Sequence, residues 1–365
     1  MYFAILWRHP KLSLAEFALV PTISLRRQGQ IVLFETVLEE PALLVVLEKL
    51  WGIVKWWRVV EGSDENEGSE EVKQFLTWVT LVWVNDQKLG MEMKKIYGIK
   101  RFKIVEQIST DLEVKQQWKE IIDFGSNKIG LVLWWQDIAH FELIDFWKPA
   151  SGMEVGMMPS KLAQILVNIG RHATLAMTRA QDNQISQWQL TIYDPFCGFG
   201  TTGFVANRVG HHFVWSDLVI TWAKENAKRW KDNNATDVLS DELHFTVFKH
   251  DVTEPFDHPL VKKIAVIVSE GWLGPVISRK TRESELLVHA EKIKALYATF
   301  LNNISAVIPQ VPMVITIPHY SRLPDAIFPD IVTHAVTLWY HIEDLGVYSR
   351  KWQEVCRQVV VLRRD

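Results

Sequence analysis

Asp194, Asp217, Asp251 and Glu270 each sit at or just past the end of an apolar run in the C-terminal half of the chain. The runs Leu190–Tyr193, Phe213–Ser216, His244–Phe248 and Ile264–Val268 read as buried parallel strands, which puts the four acids on the one sheet edge where open α/β folds bind ligands. A lone Asp after a strand is commonly a turn former or helix cap. Four in register, with a glycine turn behind the first, point to a site. That turn is Asp194-Pro195-Phe196-Cys197-Gly198-Phe199-Gly200-Thr201-Thr202-Gly203. Its glycines let backbone N–H groups approach a ligand, and the helix opening at Thr201-Thr202 favours a negative group at its N-terminus.

Roles follow from position. Phe196, Gly198, Gly200, Thr201 and Thr202 form the loop that would receive a carboxylate or phosphate. Asp217 would accept from ribose hydroxyls and Asp251 from an adenine amino group. Glu270 would face a second substrate, with Trp272 beside it. The stretch 198–203 also satisfies G-x-G-x-x-G, so a dinucleotide competes as ligand. Against it, the Asp-Pro before the glycines would repel a pyrophosphate but would accept from an α-amino group. An amino-acid-bearing nucleoside, S-adenosylmethionine, fits better. Cys197 lies inside the turn, where small-residue packing explains it better than nucleophilic chemistry. His211-His212 lack a Cys or acid partner at ligand spacing and read as surface and strand edge, so no metal is expected.

These side chains need an alternation of strands and helices from Leu190 onward, with a strand at Met313–Ile317, a helix near Pro329–Trp339, and a closing antiparallel hairpin of Tyr340–Ile342 and Gln358–Leu362. Ahead of it, Tyr2–Leu6, a helix opened by the capping-box pattern Ser13-Leu14-Ala15-Glu16, a hairpin of Thr22–Arg26 and Ile31–Thr36, a helix over Glu40–Leu50 and a strand over Ile53–Val60 give the order β-α-β-β-α-β of a ferredoxin-like unit. The acidic stretch Glu61–Glu71 reads as a solvated loop. A second unit follows, with strands at Phe75–Val84, Arg101–Glu106 and Ile129–Trp135 and helices at Leu89–Tyr97 and Asp111–Ile121. Its run from Met93 to Lys103 is the most basic in the chain. Lys94, Lys95, Lys100, Arg101 and Lys103, with Tyr97 and Phe102 among them, suit either a phosphate-contacting patch or a solvated helix end. Phe146–Gly156, with Pro149, Gly152 and Gly156, reads as a linker before a helix that starts at Pro159.

The chain has 365 residues with 48% apolar and 23% charged, a globular composition with ample core. A net charge of −3 neither advertises nor excludes a nucleic-acid partner. Two cysteines without metal spacing suit a reducing cytoplasm, and the most apolar stretch, Ala42–Val60, carries Glu48, Lys49, Lys55 and Arg58, so no membrane span is expected.

At these residues the sequence resembles a class I methyltransferase, and more narrowly the THUMP-domain tRNA guanosine-N2 methyltransferases. The resemblance runs through Ile5–Glu16, Trp135-Gln136-Asp137-Ile138, Met157–Asn168 with its Pro-Ser-Lys-Leu-Ala, the loop Asp194–Thr202, and Arg350–Leu362. It implies a ferredoxin-like domain at 1–60, a THUMP-like RNA-binding domain at 61–147, a linker at 148–160, and at 161–365 a catalytic domain with a seven-stranded sheet whose last strand is antiparallel. It also implies a cytoplasmic, S-adenosylmethionine-dependent enzyme acting on the N2 amino group of a guanosine in tRNA. Two places depart from the family. Where the family usually carries Asp-Pro-Pro-Tyr, this chain has Ser269-Glu270-Gly271-Trp272, and Ile144–Pro149 lacks the family's arginines. Glu270 is expected to accept hydrogen bonds from the target amino group and Trp272 to stack on the base. A methyltransferase of the same build acting on another RNA or DNA amino group, and a non-catalytic RNA-binding protein of this fold, are the alternative readings.

Overall fold

The computed structural model describes residues 1–47, 49–61, 70–76, 81–84, 87–104, 119–123, 128–136, 145, 157–177, 189–234, 245–350 and 352–364. Outside them lie most of the acidic stretch, the expected helix from Asp111 up to residue 118, Asp137-Ile138, and the linker with Ile144–Pro149 apart from Asp145. The chain divides into two units, Met1–Ala139 and His140–Asp365.

In the first unit, β1 (Tyr2–Leu6), α1 (Pro10–Phe17), β2 (Thr22–Gln28), β3 (Ile31–Thr36), α2 (Glu40–Leu47) and β4 (Ile53–Glu61) follow the order read from the sequence. They continue through α3 (Glu70–Phe75), β5 (Leu81–Val84), α4 (Gln87–Tyr97), β6 (Arg101–Ile104), β7 (Lys119–Asp123) and β8 (Lys128–Trp135). All eight strands join one sheet in the order β2-β3-β1-β4-β8-β7-β5-β6. Antiparallel pairing of β4 with β8 makes it continuous.

Three local readings are corrected here. Helix α1 starts at Pro10, whose missing N–H suits a first helical position. Ser13 is therefore inside the helix, and its hydroxyl donates to His9 O at 3.2 Å. Glu16 closes no capping box. Its buried carboxylate accepts the backbone N–H groups of Trp51, at 2.8 Å, and Gly52. Phe75 ends a helix rather than opening a strand, and Lys119–Asp123 is a strand where a helix to Ile121 was expected.

The second unit contains α5 (Ser160–Met177), β9 (Thr191–Asp194), α6 (Thr201–Arg208), β10 (His212–Asp217), α7 (Thr221–Asn234), β11 (Phe245–Lys249), β12 (Val266–Ser269), α8 (Glu283–Val307), β13 (Met313–Tyr320), α9 (Phe328–Thr337), β14 (His341–Tyr348) and β15 (Val355–Arg363). Its sheet has seven strands in the order β11-β10-β9-β12-β13-β15-β14. The first five run parallel, and β15 lies antiparallel between β13 and β14. This is the class I methyltransferase arrangement that the resemblance implies. The closing hairpin is longer than the sequence suggested, and only β14 stands at the end of the order.

Helices pack closely on this sheet. One face is covered by α8, whose Leu286, Ile293, Tyr297 and Phe300 join Ile315 and Ile317 of β13 in the main core. On α5, Gly170 lies so close to the sheet that an added Cβ would meet Val268 at 2.8 Å and Val266 at 3.1 Å. The strand order reverses between β9 and β12, so the crevice where ligands bind open sheets falls at the end of β9, where the glycine turn begins.

Candidate functional site

Asp194 and Asp217 are the last residues of β9 and β10, Glu270 follows β12 directly, and Asp251 stands two residues beyond β11. All four line one cleft of about 540 Å³, together with Phe196, Gly198, Thr201, Thr202 and Trp272. Gly200 does not line it. Its backbone is left-handed (φ 84°), it caps α6, and a Cβ there would meet the ring of Trp215 at 2.7 Å. Gly198 (φ 50°) has open space where a Cβ would stand, so there the backbone itself faces the cleft.

Asp194 is buried and is the electrostatic centre of the cleft. Its Oδ1 accepts from Ser269 Oγ at 2.6 Å and from Phe196 N–H at 3.0 Å. Burial raises its pKa to about 7, against hydrogen bonds from Ser269, Phe196 and Thr202 that favour the ion; the charge of Asp217 raises it further. The groups acting on it are hydroxyls, a backbone N–H and another acid. A cation arriving in the cleft would meet a carboxylate costly to ionise alone and well placed to become one. That is the fit expected for an α-ammonium group.

Asp217 ties the turn to the next strand. Its Oδ2 accepts from Gly198 N–H at 2.9 Å and its Oδ1 from Val219 N–H at 3.2 Å. The Gly198 N–H expected to meet a ligand is thus already donated. A carboxylate has about four lone-pair sites, so Asp217 retains capacity for hydroxyl donors. Asp251 is half-buried and folds onto Thr253, accepting from its N–H at 2.9 Å and its hydroxyl at 2.7 Å. Those bonds lower its pKa.

The turn after β12 departs most from the family pattern, and the structure gives the reason. Gly271 has φ 72°, and a Cβ there would lie 2.0 Å from the Tyr297 hydroxyl, which donates to Thr316 O at 2.8 Å. Proline, fixed near −65°, is excluded at this position. The Glu270 carbonyl accepts from the Thr316 hydroxyl. The Glu270 carboxylate is paired with Arg357, which projects from β15 and is 2% exposed. Trp272 is 39% exposed at the cleft wall.

Sequence reasoning missed Ser269, Arg357 and His250. Ser269 also accepts from Gly271 N–H at 3.1 Å, so one hydroxyl joins the ends of β9 and β12. His250 lines the cleft, with its pKa lowered first by burial. His211, read as surface, is buried, and its Nδ1 accepts from Leu190 N–H at 3.3 Å. Cys197 is buried, and burial pushes its thiol pKa up, which suits packing and opposes a nucleophilic thiolate. Among the described residues there is no group of three or more His, Cys, Asp or Glu that could hold a metal, and no helix long and apolar enough to cross a membrane.

In the first unit, Lys94 and Lys95 end α4, and Lys100, Arg101 and Lys103 are exposed along and just before β6. The Lys94 ammonium lies 5.1 Å from the Phe102 ring centroid, and that of Lys103 lies 5.0 Å from the Trp83 ring. Phe102 packs on Gly90, where a Cβ would come within 2.4 Å, so its ring serves the fold.

No family model matches the chain, and no curated protein matches it in sequence. Solved structures match in fold. A TrmN from Thermus thermophilus is 14% identical with a TM-score of 0.48, over 100% of this chain and 99% of that one. A magnesium protoporphyrin IX methyltransferase from Synechocystis with bound SAM is 12% identical with a TM-score of 0.36, over 62% of this chain and 96% of that one. A TehB-like SAM-dependent methyltransferase from Corynebacterium glutamicum is 14% identical with a TM-score of 0.34, over 63% and 100%. At such identities and scores, functional weight falls on the cleft itself.

Proposed function

We propose that the chain is an S-adenosylmethionine-dependent methyltransferase acting on the exocyclic N2 amino group of a guanosine in tRNA. The observation that carries this is the convergence of Asp194, Asp217, Asp251 and Glu270 on one cleft at the sheet's switch point, with Asp194 buried and lacking a cationic partner among the described residues. In this reading residues 1–60 are a ferredoxin-like domain, 61–147 a THUMP-like RNA-binding domain, 148–160 a linker and 161–365 the catalytic domain. Lys94, Lys95, Lys100, Arg101 and Lys103 contact phosphates, and the cytoplasm is the place of work.

When bound, S-adenosylmethionine supplies a methyl group already activated on a sulfonium. The chain's own task is placement and electrostatics. Asp194 accepts from an ammonium group and Asp217 from hydroxyls. Asp251 accepts from an amino group at the open end. Glu270 accepts the N–H bonds of a guanine amino group, and its acceptance strengthens as that nitrogen becomes tetrahedral. Trp272 stacks on the target base once it has left its helix.

A non-catalytic RNA-binding protein of the same fold is the second reading. It is favoured by one observation: the Glu270 carboxylate is paired with Arg357 and its carbonyl with Thr316. Labelled methyl transfer to bulk RNA, followed by nucleoside analysis, separates the readings. Label in N2-methylguanosine from the tRNA fraction is the expected result. Cofactor binding without transfer to any RNA fraction would select the second. Unchanged transfer by Glu270→Gln would remove the charged acceptor, and unchanged transfer by Glu270→Ala would remove the residue's role altogether.

A further inference from the structure

The segment that lines the cleft at Glu270–Val276 continues at once into Ser278-Arg279-Lys280-Thr281-Arg282, which carries three cations and no acid. Two residues lie between Val276 and Arg279, so the two are at most about 11 Å apart along the backbone. This loop is fixed in place. Arg322 donates to Thr281 O at 2.8 Å and to Ser278 O at 3.1 Å, and its Nε lies 3.1 Å from Glu354. The other Glu354 oxygen lies 3.4 Å from Arg279 Nε. The approach to β15 is bolted to the same frame, with the Ser321 hydroxyl donating to Gln353 O at 2.8 Å and Arg350 N–H to Gln353 Oε1 at 3.0 Å.

On this frame stands Trp352. It is 72% exposed, yet its backbone is left-handed, with φ 70°. Left-handed backbone is disfavoured for any residue with a Cβ, and burial does little to offset the cost for so exposed an indole. The guanidinium of Arg279 lies 5.0 Å from its ring centroid. Lys280 and Arg350 are exposed one residue from Arg279 and two from Trp352 along the chain, and Arg350 Nε donates to the Tyr348 hydroxyl at 3.3 Å. An exposed aromatic surface with a guanidinium against it and further cations close by in the chain, on a hydrogen-bonded frame and contiguous along the chain with the cleft, is the pairing that single-stranded nucleic acid requires: a ring for a base and cations for phosphates.

We propose that Trp352, Arg279, Lys280 and Arg350 form a docking platform for the single-stranded RNA flanking the target nucleotide. A neighbouring base stacks on Trp352, and phosphates lie against the cations. The proposal rests on the RNA methyltransferase reading above and adds a surface to it.

The test uses the full chain and a labelled bulk tRNA fraction, read by fluorescence anisotropy at several salt concentrations, with S-adenosylmethionine binding measured in parallel. Trp352→Ala should weaken RNA binding about 10-fold and raise KM more than it lowers kcat, while Trp352→Phe keeps most of the affinity. Arg279→Ala with Lys280→Ala should reduce the salt slope by about one to two. Cofactor affinity should be unchanged in all of them. Trp352→Gly relieves the backbone, so it should bind RNA as weakly as Trp352→Ala with a Tm no lower than the parent's. RNA affinity unchanged in Trp352→Ala and in the double variant would overturn the platform and leave the methyltransferase reading standing. A parent chain that binds no RNA would overturn both. Loss of RNA binding accompanied by a fall in Tm in Trp352→Gly would assign Trp352 to the fold and overturn the platform.

Discussion

The proposed pairing of Asp194 with a cationic cofactor makes affinity depend on pH in a calculable way. The ligand-free chain holds this carboxyl near a pKa of about 7, chiefly through burial. An α-ammonium group needs it ionised, and an α-amino group with its own pKa near 7.7–8.0 stays charged below about pH 7. The ionised fraction of Asp194 falls from about one half at pH 7.0 to about 3% at pH 5.5, so affinity should fall about 15-fold, or about 1.6 kcal/mol. Isothermal titration calorimetry with S-adenosylmethionine in buffers of different ionisation enthalpy measures the linked proton directly. About half a proton should be released at pH 7.0 and nearly a whole one at pH 5.5. His250, Asp217, Asp251 and Glu270 face the same cleft, so Asp194→Asn is the control. It should bind more weakly, and any pH slope it keeps belongs to them.

Stability gives a second readout of the same carboxyl. Folded Asp194 keeps its proton to about pH 7, whereas the ordinary value is 3.8. The folded state therefore binds more protons between those values. The ligand-free chain should be most stable below about pH 4 with respect to this group and lose about 4 kcal/mol by about pH 7. Asp194→Asn should gain on the parent as pH rises. An affinity that is flat from pH 5.5 to 7.0 with no proton release would refute the assignment of Asp194 to a cation.

Other substitutions probe the frame around the cleft. Gly271→Ala should cost about 2 kcal/mol or more, from left-handed strain and the clash with Tyr297, read as a lower Tm and lost transfer; adding Tyr297→Phe should recover part of it. Arg357→Met removes the guanidinium paired with the Glu270 carboxylate and should cost about 3–5 kcal/mol in urea unfolding, and combining it with Glu270→Gln should cost less than the two separately. Additive costs would mean the pair is not coupled. In the first unit, Glu16→Ala leaves the buried N–H groups of Trp51 and Gly52 without their acceptor and should cost about 2–4 kcal/mol, seen as earlier urea unfolding with an unchanged slope.

The strand–turn–helix order of the second unit was legible because parallel strands are buried on both faces and read as continuous apolar runs closed by acids. Asp194 and Asp217 close strands that end one residue later than their apolar runs suggested, and the glycine turn follows as its residue types demand. What could not be read was anything set by distant chain. Arg357 meets Glu270 across 87 residues, through a strand that inserts between two others. Ser269 reads as an ordinary strand end until β9 lies beside it. The capping-box pattern at Ser13–Glu16 misled because the same residue types serve a long-range purpose here, Glu16 holding the N–H groups of Trp51 and Gly52. Phe75–Val84 alternates like a strand, but Glu70–Phe75 buries Val72 and turns as a helix.

The position of β15 also has a consequence for the order of assembly. Of the seven strands it is the last to leave the ribosome, yet it lies inside the sheet and carries Arg357. Asp194 and Asp217 close strands made earlier, and Asp251 follows another. A nascent chain can therefore bring Asp194, Asp217 and Asp251 together first, while Glu270 waits for a guanidinium that arrives with β15. Completion of the Glu270 end of the cleft is then a discrete late event. A chain stalled before β15 would hold the three aspartates of the cleft without Arg357.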